Sequence, residues 1–433
     1  MKNKVVKIIG AGLAGCEAAY QIAKRGIAVV LYEAKPDQKS AAHHTGDFAE
    51  LVCSNSLKSL DQNTAHGLLK AELRLLDSLI LTCAERCRVP AGGALAVDRE
   101  LFSALVTKTI KENPLIQIVH GTVDSFTAEE PIIIATGPLT VGRLAEFIKA
   151  HFEGNLSFYD AAAPIISGDS INKECAFIAD RYGKGNGNGD YINCPMTADE
   201  YYVLINALVK AECVVLKDFE QGGVFEGCMP VEIMAARGRD TLRFGPLKPV
   251  GFIDPKTSKR PFAVVQLRRE NTSGEMYNLV GFQTNLTFSE QKRVFSLIPA
   301  LQKAEYLRYG VMHRNTYINA PKILNRHFQA VKSPNVFIAG QLSGVEGYVE
   351  STASGLVAGI YMAAILNGIG FEELPDETMI GALAKYVTTP NPNFQPMNSN
   401  FGILPPLDIR DKNLRKEAYA KRSLAALKDF LSP

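Results

Sequence analysis

Apolar positions near the start of the chain follow two different periods. KVVKIIG (residues 4–10) is a short β-branched run closing on glycine, the pattern of a buried parallel strand. GAGLAGCEAAYQIAKRG follows, with Leu13, Ala18 and Ile22 at helical spacing and Gly26 where a left-handed residue ends a helix. IAVVLYE returns to the strand pattern, so a βαβ unit opens at residue 4.

Residues 61–81 read as one long amphipathic helix and RELFSALVTKTIKEN (99–113) as another, followed by a strand at IQIVHG. PIIIATGP is a hydrophobic strand running into a turn. Up to about residue 150 this order describes a doubly wound α/β domain. The pattern then changes. FYDAAAPIIS, the glycine-rich GKGNGNGD loop, and the strands FAVVQLRRE and MYNLVGFQT suggest an inserted α+β region. Near residue 310 the α/β character returns, with NVFIAGQLSG as strand and turn and TASGLVAGIYMAAIL as helix. The expected division is 1–155 for the first part of the α/β domain, 156–310 for the insertion and 311–372 for the second part. Residues 373–433 add an irregular, proline-rich segment and a basic helix.

Composition narrows the class. The chain has 433 residues, 46% hydrophobic and 21% charged, which fits a globular protein of more than one domain. The formal net charge is only +2, so nucleic acid would have to bind a local patch. Eight cysteines are scattered without a CxxC or a second pair at zinc-site spacing, as expected of reduced thiols in a cytoplasmic protein without a structural metal. MKNKVVKIIGAGLAGC imitates a lipoprotein signal, but Lys7 interrupts its apolar run. GLVAGIYMAAILNGIG is too short and glycine-rich to be expected as a membrane span.

Chemistry concentrates in a few places. Gly10, Ala11, Gly12, Leu13, Ala14 and Gly15 form a GxGxxG between strand and helix, and Glu33 ends the next strand. Gly10 permits the turn, Gly12 lets backbone approach a pyrophosphate, and Gly15 lets helix and strand pack closely. The anion then meets the helix N-terminus, and Glu33 can accept from a ribose. The turn Ala135, Thr136, Gly137 and the late turn Gly340, Gln341 favour FAD over NAD as the tightly held cofactor, with Gln341 where Asp is common in such flavoproteins. His43 and His44 lack a third ligand, so hydrogen bonding near the flavin is expected of them and no metal. For Cys53, in AHHTGDFAELVCSNSLKS, a buried inert thiol is the default. Cys228, in FEGCMP, precedes a helix expected to open with Pro230 at its first position, where a thiolate would be stabilised; a bystander and a nucleophile both remain open. Between residues 235 and 275 nine basic residues outnumber four acids, and Arg237, Arg239 and Arg243 are candidates for phosphate contact against the alternative of solvated surface.

GAGLAGCEAA, AHHTGDFAELVCSNSLKS, VPAGGALAVDR, IIATGPLT, FYDAAAPI, FEGCMPVEIMAARG, LRFGPLKPVG, RPFAVVQLR, YNLVGFQT, RYGVMHRNTYINAP and AGQLSGVEGYVES together resemble the TrmFO family, from residue 8 to about 405. These are folate- and FAD-dependent tRNA (uracil-5-)-methyltransferases. The glycine-rich 183–189 loop departs from the family pattern, and GidA-type relatives carry a longer C-terminal region. The resemblance implies a GidA-like, FAD-binding Rossmann-type domain interrupted by an inserted α+β domain. It also implies methylation of carbon 5 of uridine-54 in the tRNA T-loop. Methylenetetrahydrofolate would be the carbon donor and NAD(P)H the reductant. The family's two reactive thiols fall on Cys228, as nucleophile toward carbon 6 of the uracil, and Cys53, as base or guard of the adduct; the two roles are interchangeable at this level. The competing readings are the same chemistry on 23S ribosomal RNA, a small-molecule flavin oxidoreductase without RNA, and a non-catalytic FAD-binding partner of another modification complex.

Overall fold

The computed structural model describes all residues except 1–3, 41–42, 141, 153–154, 184–188, 216–228, 393 and 433, and no side chains for 155–160, 183, 313 and 314. Cys228 and most of the glycine-rich loop therefore lie outside the described residues. Five parallel strands form the first sheet: β1 (Val5–Ile9), β2 (Ala28–Glu33), β3 (Ile116–His120), β4 (Ile132–Ile134) and β5 (Ser333–Ile338). Their order is β3-β2-β1-β4-β5, with Gln329–Ala330 as an antiparallel edge. The order reverses direction on either side of β1, so ligand space opens beyond its carboxyl end. The apolar run of the lipoprotein imitation supplies the sheet's central strand and the start of the following helix.

Helix α1 (Leu13–Lys24) connects β1 to β2 and lies against a helix we number α3 (Tyr348–Asn367), after α2 (Ala65–Leu75). The α1–α3 contact needs small residues. A Cβ on Gly355 would stand 2.2 Å from the Ala14 carbonyl oxygen, and one on Gly359 would stand 2.8 Å from that of Ala18. α3 is longer than the apolar stretch suggested, and by length and composition it would pass as a membrane span. It is instead a core helix, with 89% of its most apolar window buried in the protein.

The single helix expected over 61–81 is two. α2 ends at Leu75, Asp77 takes φ +54°, and a second helix runs Leu79–Arg86. Two caps meet there: Ser78, whose hydroxyl accepts the Leu81 N–H at 3.2 Å, and a distant carboxylate. Buried Glu17 of α1 accepts N–H groups of Leu79 and Ile80 and the Ser78 hydroxyl, at 2.8–3.2 Å, and so fills the donors of a new helix start. Glu72 does the same at the other end of the chain. It accepts from Met379 and Ile380 at the start of α4 (Met379–Thr388) and from Ser423 on α5 (Lys412–Leu431), fastening the C-terminal helices to α2.

A second sheet of six strands has the order Phe177–Ile178, Tyr191–Met196, Ala263–Arg269, Met276–Leu279, Ile165–Ser167, Tyr306–Arg308, with every pairing antiparallel. The helices Ala198–Lys210 and Phe288–Phe295 close a separate core containing Tyr201, Leu204, Val265, Phe282 and Phe295. An antiparallel ladder of Asn155–Ala161 with Met312–Ile318 forms a further two-stranded sheet where the chain leaves and re-enters the α/β part. After Pro230 the helix spans only Val231–Ala236. Pro230 caps it, with ψ 139°, and does not occupy its first turn.

Candidate active site

At the carboxyl end of β1 the chain turns at Gly10, with φ +100°, and a Cβ there would lie 2.6 Å from the Ala135 carbonyl oxygen. The turn after β4 is thereby brought against the turn after β1. Gly15 closes the same packing, since its Cβ would sit 1.8 Å from the Gly10 oxygen. Gly12 differs. A Cβ there would meet no atom within 4 Å, because Gly12 faces a cavity of about 500 Å³.

Gly10, Gly12, Leu13, Ala14, Glu33, Ala135, Thr136, Gly137, Gly340 and Gln341 line this cavity, so it collects segments from across the chain. Ala11 and Gly15 stand behind it. The start of α1 carries no side-chain cap and no acid in its first turn, which leaves its N–H groups and positive dipole end available to an anion. Glu33 accepts the N–H of Ala11 at 2.8 Å and of Lys35 at 2.9 Å, one on each oxygen. Two lone pairs remain for ribose hydroxyls. Gln341 donates its amide to both oxygens of Glu346 at 2.8 Å, which leaves its own oxygen as an acceptor at the cavity. These features fit a dinucleotide such as FAD.

Beyond the turn glycines, the wall is charged. Lys35 is buried, donates to the Asp47 carbonyl, and lies 3.7 Å from Glu50. His43 hydrogen-bonds Ser40 at 2.7 Å, and burial, then the Lys35 charge, push its imidazole toward the neutral form. His44 donates its backbone N–H to Glu50, and burial followed by the Arg308 charge lowers its pKa.

Cys53 is half-buried beside the cavity, between the lining residues Val52 and Tyr348. Its sulfur is 3.0 Å from the Tyr348 hydroxyl, at the first residue of α3. The loop around it is held from the start of the helix Arg99–Lys111 and from the second sheet. Arg99 donates to the Leu51 carbonyl at 2.7 Å and pairs with buried Glu270 at 2.6 Å. Arg268, on the central strand Ala263–Arg269, donates to Asn55 at 2.8 Å and Ser54 at 2.9 Å. Asn55 in turn donates to the carbonyls of Val97 and Arg269. Burial acts on five of the other thiols. Burial pushes Cys16 and Cys194 far up, Cys83 up to about 11, and Cys87 and Cys213 up as well.

The basic candidates lie in the second domain. Arg237 and Arg239 are exposed, and Arg239 places its guanidinium 3.6 Å from the centre of the Tyr202 ring. Arg243 is engaged within the domain. It donates to the Phe262 carbonyl, pairs with Asp240 at 3.1 Å and covers the Phe262 ring. Sequence reasoning missed Tyr348, Arg99, Arg268 and Glu270. Only Tyr348 had a local signal, its place directly after the glycine turn at 344–347.

α3 is anchored by Glu350 in its first turn, which accepts both the N–H and the hydroxyl of Ser399 and lies 3.3 Å from His66. Burial opposes the charge, but the His66 hydrogen bond and the Lys58 and His66 charges outweigh it and hold the carboxyl at about 2. A depressed carboxyl stabilises the fold above its unfolded value near 4.3, and that contribution disappears as pH falls through about 2. Glu350→Gln should therefore shallow the loss of melting temperature between pH 4.5 and 2. Parallel acid limbs in the two proteins would remove this anchor from the account.

Parallel strand order, a glycine turn on an uncapped helix start and an acid at the end of β2 define a dinucleotide-binding α/β protein with an inserted antiparallel domain. Residues 5–370 match the family model described as Glucose inhibited division protein A. In fold the chain resembles Aquifex aeolicus GidA, with a TM-score of 0.71 at 15% identity, covering 99% of this chain and 74% of that one. It is 57% identical to the methylenetetrahydrofolate--tRNA-(uracil-5-)-methyltransferase TrmFO of Acetivibrio thermocellus, over 99% of this chain and 98% of the relative. The TrmFO of Desulfitobacterium hafniense is 56% identical over 98% of each. This chain belongs to the TrmFO family.

Proposed function

We infer that the protein is a methylenetetrahydrofolate--tRNA-(uracil-5-)-methyltransferase that uses FAD. The observation that carries this reading is identity above one half, over nearly the full length of both chains, to proteins of that name. The target we propose is uridine-54 of the T-loop, with NAD(P)H as reductant and the cytoplasm as the place of action.

Gly10, Gly12, Glu33, Ala135 to Gly137, Gly340 and Gln341 would hold the flavin, which when bound supplies hydride and carries the one-carbon unit between folate and base. The protein's part in the chemistry falls to thiols. A thiolate adds to carbon 6 of the uracil and pushes electrons to carbon 5, which then bonds the one-carbon unit. A base takes the carbon-5 proton, and the electrons left at carbon 5 release the one-carbon unit from its carrier as an exocyclic methylene on the uracil. Hydride added to that methylene completes the methyl group, and the thiolate leaves as the carbon 5–carbon 6 double bond re-forms. We assign Cys228 to the addition and Cys53 to the base or guarding role. The loop built by Arg99, Asn55 and Arg268 supports a reactive Cys53, since a merely packed thiol needs no such holding.

The test supplies unmodified tRNA, labelled methylenetetrahydrofolate and NADPH, and reads nucleosides by mass spectrometry. Labelled 5-methyluridine is expected, and absent when position 54 is cytidine. Label in 23S RNA alone, or NADPH oxidation with no labelled nucleoside, would overturn the reading.

For tRNA docking we propose Arg237 and Arg239. Converting both to glutamine should reduce the salt dependence of tRNA affinity by roughly one to two units of log–log slope, with flavin content unchanged. Arg243→Gln should instead lower stability, because that guanidinium is committed to Asp240 and Phe262. An unaltered slope in the double variant makes this stretch solvated surface.

A further inference from the structure

We propose that Tyr348 is a positioning residue for Cys53, its hydroxyl donating to the sulfur and holding it as a hydrogen-bond acceptor, the thiolate side of its titration. The proposal rests on Cys53 being one of the reacting thiols.

A phenol oxygen offers one donor and two acceptor positions. The Tyr348 oxygen receives the N–H of Cys53 at 2.9 Å and of Ser54 at 3.2 Å, which fills both acceptor positions. Its own hydrogen is left for the third neighbour, the Cys53 sulfur at 3.0 Å. A thiol donating in the opposite sense would need a third acceptor position on that oxygen. Burial pushes the Tyr348 hydroxyl far up, and the adjacent sulfur pushes it further, so the proton stays on the phenol.

Other charges face the pair from several elements. Arg99 stands close enough to feel the charge on both Cys53 and Tyr348. Arg308, beside Arg99 and Tyr348, comes from the edge strand of the second sheet. Glu270 pairs with Arg99, while Glu50 and His44 belong to the loop preceding Cys53. Tyr348 is hydrogen-bonded to both the backbone and the sulfur of Cys53. It is also on the first turn of the helix that Glu350 anchors, so the donor is set by a rigid element.

The test follows alkylation of Cys53 by iodoacetamide against pH in the flavin-loaded full chain, reading the Cys53 peptide by mass spectrometry. Only the thiolate reacts, so the midpoint reports the sulfur's titration. Tyr348→Phe should move the midpoint up by about one unit, making alkylation near pH 7 about tenfold slower. 3-Fluorotyrosine at position 348, a more acidic phenol of nearly the same shape, should move it down. Opposite shifts cannot come from a loosened loop. Midpoints equal to that of the unaltered protein, or shifts of the same sign, would overturn the proposal. If the Phe variant fails to fold, the fluorotyrosine protein decides alone. Cys53→Ser assayed on tRNA is read separately. Full methylation by that variant would remove Cys53 from the reaction, while opposite shifts at position 348 would still establish the hydrogen bond.

Discussion

Gly12→Val should give a folded protein that purifies without flavin. Gly12 has φ −75° and ψ −169°, a conformation open to any residue, and a Cβ there meets no protein atom within 4 Å. The new side chain therefore strains nothing and projects into the space where a pyrophosphate would approach the start of α1. FAD affinity should fall at least a hundredfold, or roughly 3 kcal/mol. Bound flavin is read from the absorbance released on denaturation, and the fold from circular dichroism. The neighbouring glycines provide the contrast. Gly15→Val would drive a Cβ to 1.8 Å from the Gly10 oxygen, and Gly10→Val would press on the Ala135 carbonyl from a positive φ. Those two variants should lose the fold together with the cofactor. A fully yellow Gly12→Val protein would place the pyrophosphate elsewhere.

Replacing either proposed cysteine by alanine should lower methyl transfer by about a thousandfold, some 4 kcal/mol of barrier, with flavin content intact. The two variants should then part on a tRNA carrying 5-fluorouridine, since fluorine cannot leave carbon 5 as a proton and the adduct is trapped. Cys53→Ala should retain the covalent protein–RNA adduct, and Cys228→Ala should lose it. The opposite pattern exchanges the two roles. Adducts in both variants, with methylation unimpaired, would end the thiol mechanism.

Much of the α/β domain was legible locally. A parallel strand covered on both faces is mostly apolar, so VVKII, interrupted only by Lys7, and III announce themselves. A glycine turn between strand and helix is tied to the backbone path it makes, and its residues gather at one cavity because the turns sit at the same end of one sheet. Helix starts marked by their own caps, such as Asp98 before Arg99–Lys111 and Asp411 before α5, were likewise readable.

The misread elements have a common cause. The helix over 61–81 breaks at Asp77 because Glu17, far upstream, joins the local cap Ser78 in making a second start favourable. α3 runs longer than its apolar stretch suggested and is still the core helix expected in place of a membrane span, because glycines 355 and 359 let α1 lie directly on it. The surroundings of Cys53 were assembled in the same way, with Tyr348 arriving from the first turn of α3 and Arg268 from the second sheet. Periodicity records which face of an element is buried, and motif spacing records a local backbone path. The sequence by itself therefore determined the sheet, the glycine turns, the acid at position 33 and the family. Which side chain completes a buried hydrogen bond is decided by whatever the folded chain brings within about 3 Å of it, and no local pattern encodes that distance.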